Sequence, residues 1–232
     1  MIHYLKADIY RIQQEKKLLI SLGILVLLSL LSAFLFKDSP SADNTVSLIQ
    51  LLTQFIMLFF IVPTNILFGE DFAHRTINNI LIKQKRRQKL FSYKVLTTIL
   101  LNLFYVALSY LISAGFRVLM GGQVDLQVFG VAFLHQIPLL IAISILCDFL
   151  FIILNRIGQA HLAYILIALL FDNVCRLILS NILHLDFPVD YFIFLSLQNG
   201  AEIPPTTMIL SLILSLLLLG GSYYVFNEKE LK

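Results

Sequence analysis

Long apolar stretches alternate with short polar ones along the whole chain. Leu18 to Phe36, Thr45 to Phe68, Val95 to Met120, Val128 to Leu154, Ala160 to Ser180 and Thr207 to Phe226 are each close to or above the roughly 20 residues that cross a bilayer as a helix. The pattern predicts an all-α polytopic membrane protein, a single transmembrane unit over residues 1–232 with six spans. Lys37 to Ser41, Gly121-Gly122 and Asn155 to Gln159 read as tight connections. Pro63 lies near the end of the second span as a tolerated kink, and Pro138 kinks or starts the fourth.

Three segments do not fit the simple alternation. Residues 1–17 carry Ile2, Leu5, Ile9 and Ile12 at helical spacing among charged positions, which predicts an amphipathic helix lying in the interface. Residues 69–94 form the one long charged segment, a loop between the second and third spans. Within it Phe72, Ile77, Ile80, Leu81 and Leu90 leave an apolar helical pattern, and Glu70 and Asp71 stand where a helix start would favour acids. Residues 181–206 form the longest loop on the opposite side. Its apolar piece Tyr191 to Leu197 is too short to cross and predicts a short re-entrant or interfacial helix.

Polar residues inside the spans fall on faces. Thr98, Asn102, Tyr105, Ser109, Ser113 and Arg117 recur three or four apart along the third span, and Ser47, Gln50 and Gln54 do so in the second. Lipid cannot satisfy such a face, so it looks at protein or water. Two readings stay open: a lining for a transport pathway or subunit interface, and plain helix–helix cohesion. Ionisable groups at depth are the other candidates: Asp148 in the fourth span, facing Arg156 or a polar face, and Asp172 with Arg176, one turn apart in the fifth. The latter two could pair with each other or meet a substrate.

Composition agrees with the pattern. The chain of 232 residues is 59% hydrophobic with 13% charged residues and a mean hydropathy of +0.87, against about a quarter charged in soluble domains. Of its 17 basic residues, fourteen lie on the side shared by the two ends, the 69–94 loop and Arg156, and only Lys37 lies in a connection on the other. The bias predicts that both termini are cytoplasmic. The N-terminal segment carries acids and lacks a small-residue cleavage site, unlike a secretory leader. Cys147 and Cys175 fall inside apolar runs and read as small hydrophobes. Topology accounts for the positive charge better than nucleic-acid binding does.

Catalytic signatures are missing from the sequence. It has no G-x-x-x-x-G-K-[ST], no H-E-x-x-H, no G-x-S-x-G and no Cys/His set at metal spacing. Neither a catalytic residue nor a cofactor or metal is assigned to this chain.

The loop itself resembles a family. Phe68-Gly69-Glu70-Asp71, then His74 to Leu81, then Arg86 to Lys94, looks like the first cytoplasmic loop of ABC-2-type permeases. Glu70 matches the acid of that loop, Thr76-Ile77-Asn78-Asn79 its T-I-K-N portion, Arg86-Arg87 its basic pair and Lys94 its closing Lys. Arg75 stands for the usual Gly and Asn78 for the usual Lys. The whole plan is similar too: an interfacial N-terminal helix, six spans, a larger outer loop before the last and a short charged tail. The resemblance implies a transporter subunit, not an enzyme, in a bacterial plasma membrane. It implies a dimeric permease, paired with itself or a related chain, and a separate cytoplasmic ATPase that binds ATP and Mg. Glu70, Asp71, Arg75, Thr76, Ile77 and Ile80 would then couple to that ATPase through a cytoplasmic helix. Small members resemble exporters of peptides, including bacteriocin and lantibiotic immunity systems. Gln50, Gln54, Thr98, Asn102, Tyr105 and Ser109 would border the path or the permease–permease contact, with membrane lipid around the rest.

Three alternatives remain beside it. The first is the substrate-binding membrane component of an uptake transporter, against which the Leu-rich first span counts. The others are an intramembrane enzyme and an anchoring protein. The basic loop could equally serve as a topology anchor that binds anionic headgroups.

Overall fold

The structure, a computed structural model, describes residues 15–36, 44–73, 87–154, 156–181, 184, 188–198, 200 and 203–228. Among the described residues every regular element is helical. Six helices are long and apolar enough to cross a membrane: α1 (Lys16–Leu35), α2 (Thr45–Ala73), α3 (Arg87–Leu119), α4 (Leu126–Ile153), α5 (Ile157–Asn181) and, after the short α6 (Ile193–Gln198), α7 (Pro205–Glu228).

Contacts between distant residues fix an up-and-down order. The starts of α1 and α3 meet the ends of α2 and α7, through Lys17 with Glu70 and through the Arg87 Nη1 bond to Asn227 O; this is called the near end below. At the far end the Asp125 N–H meets Thr45, Gln136 meets Gly200, and Thr207 meets Asp190 O. Each long helix therefore runs antiparallel to the next, as short connections require.

α4 is the axis of the bundle. Its most apolar stretch is 61% buried, against 17% for α5 and 22% for α7. Pro138 sits inside the helix without ending it. α7 lies along α4 and buries Thr207, Ser211, Ser215, Ser222 and Phe226, a line of small residues with an aromatic foot. The Ser211 and Ser215 hydroxyls donate back to Met208 O and Leu212 O at 2.7 Å each, leaving a nearly apolar surface for close packing.

Two helices are irregular. α2 tightens at Met57–Phe60, passes Pro63 and widens at Asn65–Gly69 into a π turn. Proline supplies no N–H, so the ladder must re-form around it in just this way. The wide turn brings Gly69 against Phe151 of α4, where a Cβ would lie 2.4 Å from Asn65 Oδ1 and 3.0 Å from the Phe151 ring. α5 widens at Ile167–Phe171. Its buried residues are Ala160, Tyr164, Ala168 and Asp172, four apart throughout. In an unbroken α-helix Asp172 would stand about 120° round from Ala160, and one extra residue in a turn reduces that to about 20°.

The predicted boundaries need three changes. The second span does not stop at Phe68: it continues as helix to Ala73, because Asp71 has a buried partner there. The third begins at Arg87 rather than Val95. The 69–94 loop therefore contributes helix to both neighbours, and its middle, 74–86, lies outside the described residues. The interfacial helix over 1–17 also lies outside them, apart from residues 15–17. The third change is small: α5 starts at Ile157, so the connection after α4 is shorter still. The predicted close at Gly121-Gly122 is observed. Gly121, at φ +84, sends its N–H to Val118 O, and the Gly122 N–H reaches Arg117 O.

Candidate functional site

Among the described residues the polar face of α3 gathers the longest row of buried polar side chains. Lys94, Thr98, Asn102, Tyr105, Ser109, Ser113 and Arg117 are all buried and run the length of the helix. Lys94 begins the row at the near end. Its ammonium is fully buried; it bonds the Asp71 carboxylate and donates to Leu67 O at 2.6 Å. Lys94 Nζ also stands 5.8 Å from the centre of the Phe68 ring. Beside it Glu70, itself buried, pairs with Lys17 of α1. Two consecutive acids of α2 thus clamp α1 and α3, one each.

One turn further in, the Asp148 carboxyl of α4 is held from two sides. Thr64 Oγ1 of α2 lies 2.9 Å from Oδ1, and Thr98 Oγ1 lies 2.6 Å from Oδ2. Of the two neighbours open to Asp148 in the sequence, the polar face is the one it meets; Arg156 is exposed beyond the end of α4. Asn102 Nδ2 then donates to Ser144 Oγ at 2.7 Å. Tyr105 shares a 2.5 Å bond with Ser21, and Ser113 a 2.9 Å bond with Ser32, both on α1. Tyr110 donates to Gln136 Oε1 at 2.5 Å, and Gln136 Nε2 reaches Gly200 O at 2.9 Å, extending the network to the far-end loop. Arg117 closes the row beneath the glycine turn, where a Cβ on Gly122 would come within 2.9 Å of its Cγ.

Thr98, Asn102 and Tyr105 of the expected path-lining face find hydrogen-bond partners on α4 and α1 within the chain. Ser109 bonds Val106 O of its own helix. Gln54 is exposed on α2, and Gln50 is half-buried against Gly200.

Asp172 has a different partner from the one expected. Its Oδ2 accepts the backbone N–H of Phe194 at 2.7 Å and of Leu195 at 3.1 Å, the open N-terminal amides of α6. A carboxylate there satisfies two orphan donors and lies at the positive end of the short helix. Arg176, one turn on, is exposed. Nine residues of α5, about 14 Å, continue beyond Asp172. The chain must therefore turn back alongside α5 to bring Phe194 to it, as the predicted short helix over 191–197 requires. α6 is held there by buried Phe194, Ser196 and Leu197.

Among the described residues, openings reach this framework from both ends and from the side. A broad cleft of about 880 Å³ at the far end includes Val46, Asp125, His135 and Pro204 in its wall. A cleft of about 240 Å³ at the near end lies between α2, α4 and α5, with Arg156 at its mouth and Phe151 and Gly69 in its wall. A third, apolar cavity of about 260 Å³ lies between α1, α2 and α3.

Of the six residues expected to couple to a partner, Glu70 and Asp71 are turned into the chain; Arg75, Thr76, Ile77 and Ile80 lie outside the described residues. Sequence reasoning missed Lys17, Thr64 and the serine face of α1. The last had a visible signal: Ser21, Leu25, Ser29 and Ser32 are four, four and three apart. Nothing local marks Lys17 and Thr64, whose partners are 53 and 84 residues away in the chain.

None of the family models, curated proteins or solved structures compared with this chain matches it.

Proposed function

We propose that this chain is the membrane-spanning permease subunit of an ATP-driven exporter in a bacterial plasma membrane, with both termini cytoplasmic. A separate P-loop ATPase carrying ATP and Mg supplies the energy, and a second permease, identical or related, completes the membrane unit. Its cargo is an amphipathic substrate such as an antimicrobial peptide.

One observation supports this reading above the rest: the roots of the basic segment 74–86 are clamped. Asp71 just before it and Lys94 just after it form a buried pair, and Glu70 takes Lys17. A topology anchor needs only charge. A segment that transmits force needs stiff roots, because a push on a loosely held loop is absorbed by the loop. Here a displacement of 74–86 reaches α1, α2 and α3 together. Glu70 and Asp71 accordingly act inside the permease as transmitters, while Arg75, Thr76, Ile77 and Ile80 supply the surface that meets the ATPase.

The test is to tag the chain in a bacterial host, solubilise it gently and identify what co-purifies. Ile77→Asp with Ile80→Asp is expected to lose a stoichiometric P-loop ATPase. Asp71→Asn is expected to retain it while export per ATP hydrolysed falls. Failure of any ATPase to co-purify with the unaltered chain would overturn the exporter reading. Full export by Asp71→Asn would overturn the clamp alone.

A further inference from the structure

The serine face of α1 is unevenly used. Ser21 bonds Tyr105, and Ser32 bonds Ser113 and lies 2.8 Å from Ser29 O. Between them Ser29 is 1% exposed, and its hydroxyl has no hydrogen-bond partner. An unmade bond on a buried hydroxyl costs about 1–3 kcal/mol, so this position calls for an explanation.

Ser29 lines the apolar cavity of about 260 Å³ between α1, α2 and α3. An apolar cavity of about 150 Å³ is already large enough to hold benzene. Leu31, Leu35 and Phe55, which also line it, are exposed on the outer surface of the bundle and form a mouth toward the bilayer. Along α1 the cavity runs from Leu25 to Leu35, about 15 Å. That is the depth of one leaflet of a hydrocarbon core about 30 Å thick. Among the described residues no charged side chain lines it. A water there would need two to four polar partners. Of the described lining hydroxyls Ser29 is the one without a partner: the Ser109 hydroxyl donates to Val106 O at 2.8 Å and the Ser32 hydroxyl is engaged with Ser113.

We propose that this cavity binds an uncharged single-chain amphiphile from the bilayer, whose one oxygen hydrogen-bonds the Ser29 hydroxyl and whose chain lies between α1 and α2. The apolar walls that the described residues build disfavour an ionised headgroup beside Ser29. The isolated hydroxyl prefers a chain carrying an alcohol or carbonyl oxygen to a plain hydrocarbon. From Ser29 to Leu35 is about 9 Å, which suits a chain of roughly eight carbons running from the Ser29 hydroxyl toward Leu35.

The full chain in phosphatidylcholine vesicles, without any ATPase, is exposed to a photoreactive diazirine-bearing octanol and, separately, to the matching diazirine-bearing octane. Labelled peptides are then mapped by mass spectrometry. Octanol is expected to label 25–35 and 51–59 saturably and to be displaced by unlabelled octanol. Ser29→Ala should lower octanol labelling about five-fold, the worth of one hydrogen bond, and leave octane labelling unchanged. Leu28→Trp, which fills the cavity, should abolish both at those segments. Octanol labelling that does not saturate, or that is as strong at the bilayer-facing Leu212 and Leu216 of α7, overturns the proposal. So does an octanol-to-octane ratio that Ser29→Ala leaves unmoved. The result stands or falls apart from the exporter reading, since no transport is measured.

Discussion

α3 and α5 are both apolar helices of spanning length with charged residues in them, yet they are built into the bundle in opposite ways. α3 buries a full polar row and bonds α1, α2 and α4 along its whole length. α5 buries one narrow line, Ala160, Tyr164, Ala168 and Asp172, and turns Leu162, Leu166, Leu169, Leu170 and Leu177 outward. Among the described residues its side-chain hydrogen bonds to other elements are few: the Tyr164 hydroxyl to Met57 O at 2.7 Å and Asp172 to the α6 amides. A helix held by many modest bonds survives the loss of one. A helix held by two does not, and what it carries moves with it. α5 carries α6.

The largest effect should come at the charged root of α3. Lys94→Met leaves Asp71 buried without its cation and should cost about 3–5 kcal/mol. Removing both charges with Asp71→Leu and Lys94→Met together should recover most of that, since paired apolar replacements are often neutral. Thermal unfolding in detergent measures both. A double variant as unstable as the single would mean that the pair contributes more than mutual compensation.

Next in size is the tie that α5 holds. Asp172→Ala removes the acceptor of two N–H groups, each worth about 1.5–3 kcal/mol when the acceptor is charged. The loss should be local. Hydrogen exchange at Phe194 and Leu195 should rise steeply while α3 amides stay protected; equal exchange in both regions would erase the contrast between the two helices.

Gly69→Ala tests the packing between them. Its Cβ must displace both the Asn65 side chain and the Phe151 ring, and overpacking of this kind costs about 1–3 kcal/mol. A neutral result would show that the wide turn of α2 can relax. Smallest of all should be Ser113→Ala, since single polar contacts between membrane helices average about 0.6 kcal/mol. Tyr164→Phe on α5 should exceed it, at about 1 kcal/mol, because Met57 O is then left with no donor in its place. If Ser113→Ala proved the costlier of the two, the view of α3 as redundantly held would be wrong.

Much of this plan is legible along the chain. Bilayer length, the short turns and the proline and glycine positions locate all six long helices to within a few residues, except where charge intervenes. The exception is instructive. Glu70, Asp71 and Lys94 read as loop because charges are expected in water, and they prove to be helix because each has a partner. The polar row of α3 was visible at its spacing, but whether it faced a path or its neighbours depended on residues in other helices. Asp172 and Arg176 stand one turn apart, which suggested a pair, and a backbone segment some twenty residues on took the carboxylate instead.

The amino-acid sequence by itself determined the class, the number of spanning helices, their approximate ends, the short helix before the last span and the face each polar residue occupies. All of these follow from local quantities: the length of an apolar run, the 3.6-residue period and the backbone limits of proline and glycine. Only the tertiary structure decided which polar groups satisfy one another, where a hydroxyl is left without a partner beside a cavity, and that two consecutive acids bind two different helices. Those outcomes depend on distances between residues far apart in the chain. In lipid, where an unsatisfied polar group is costly, they are set by which neighbours the packing supplies.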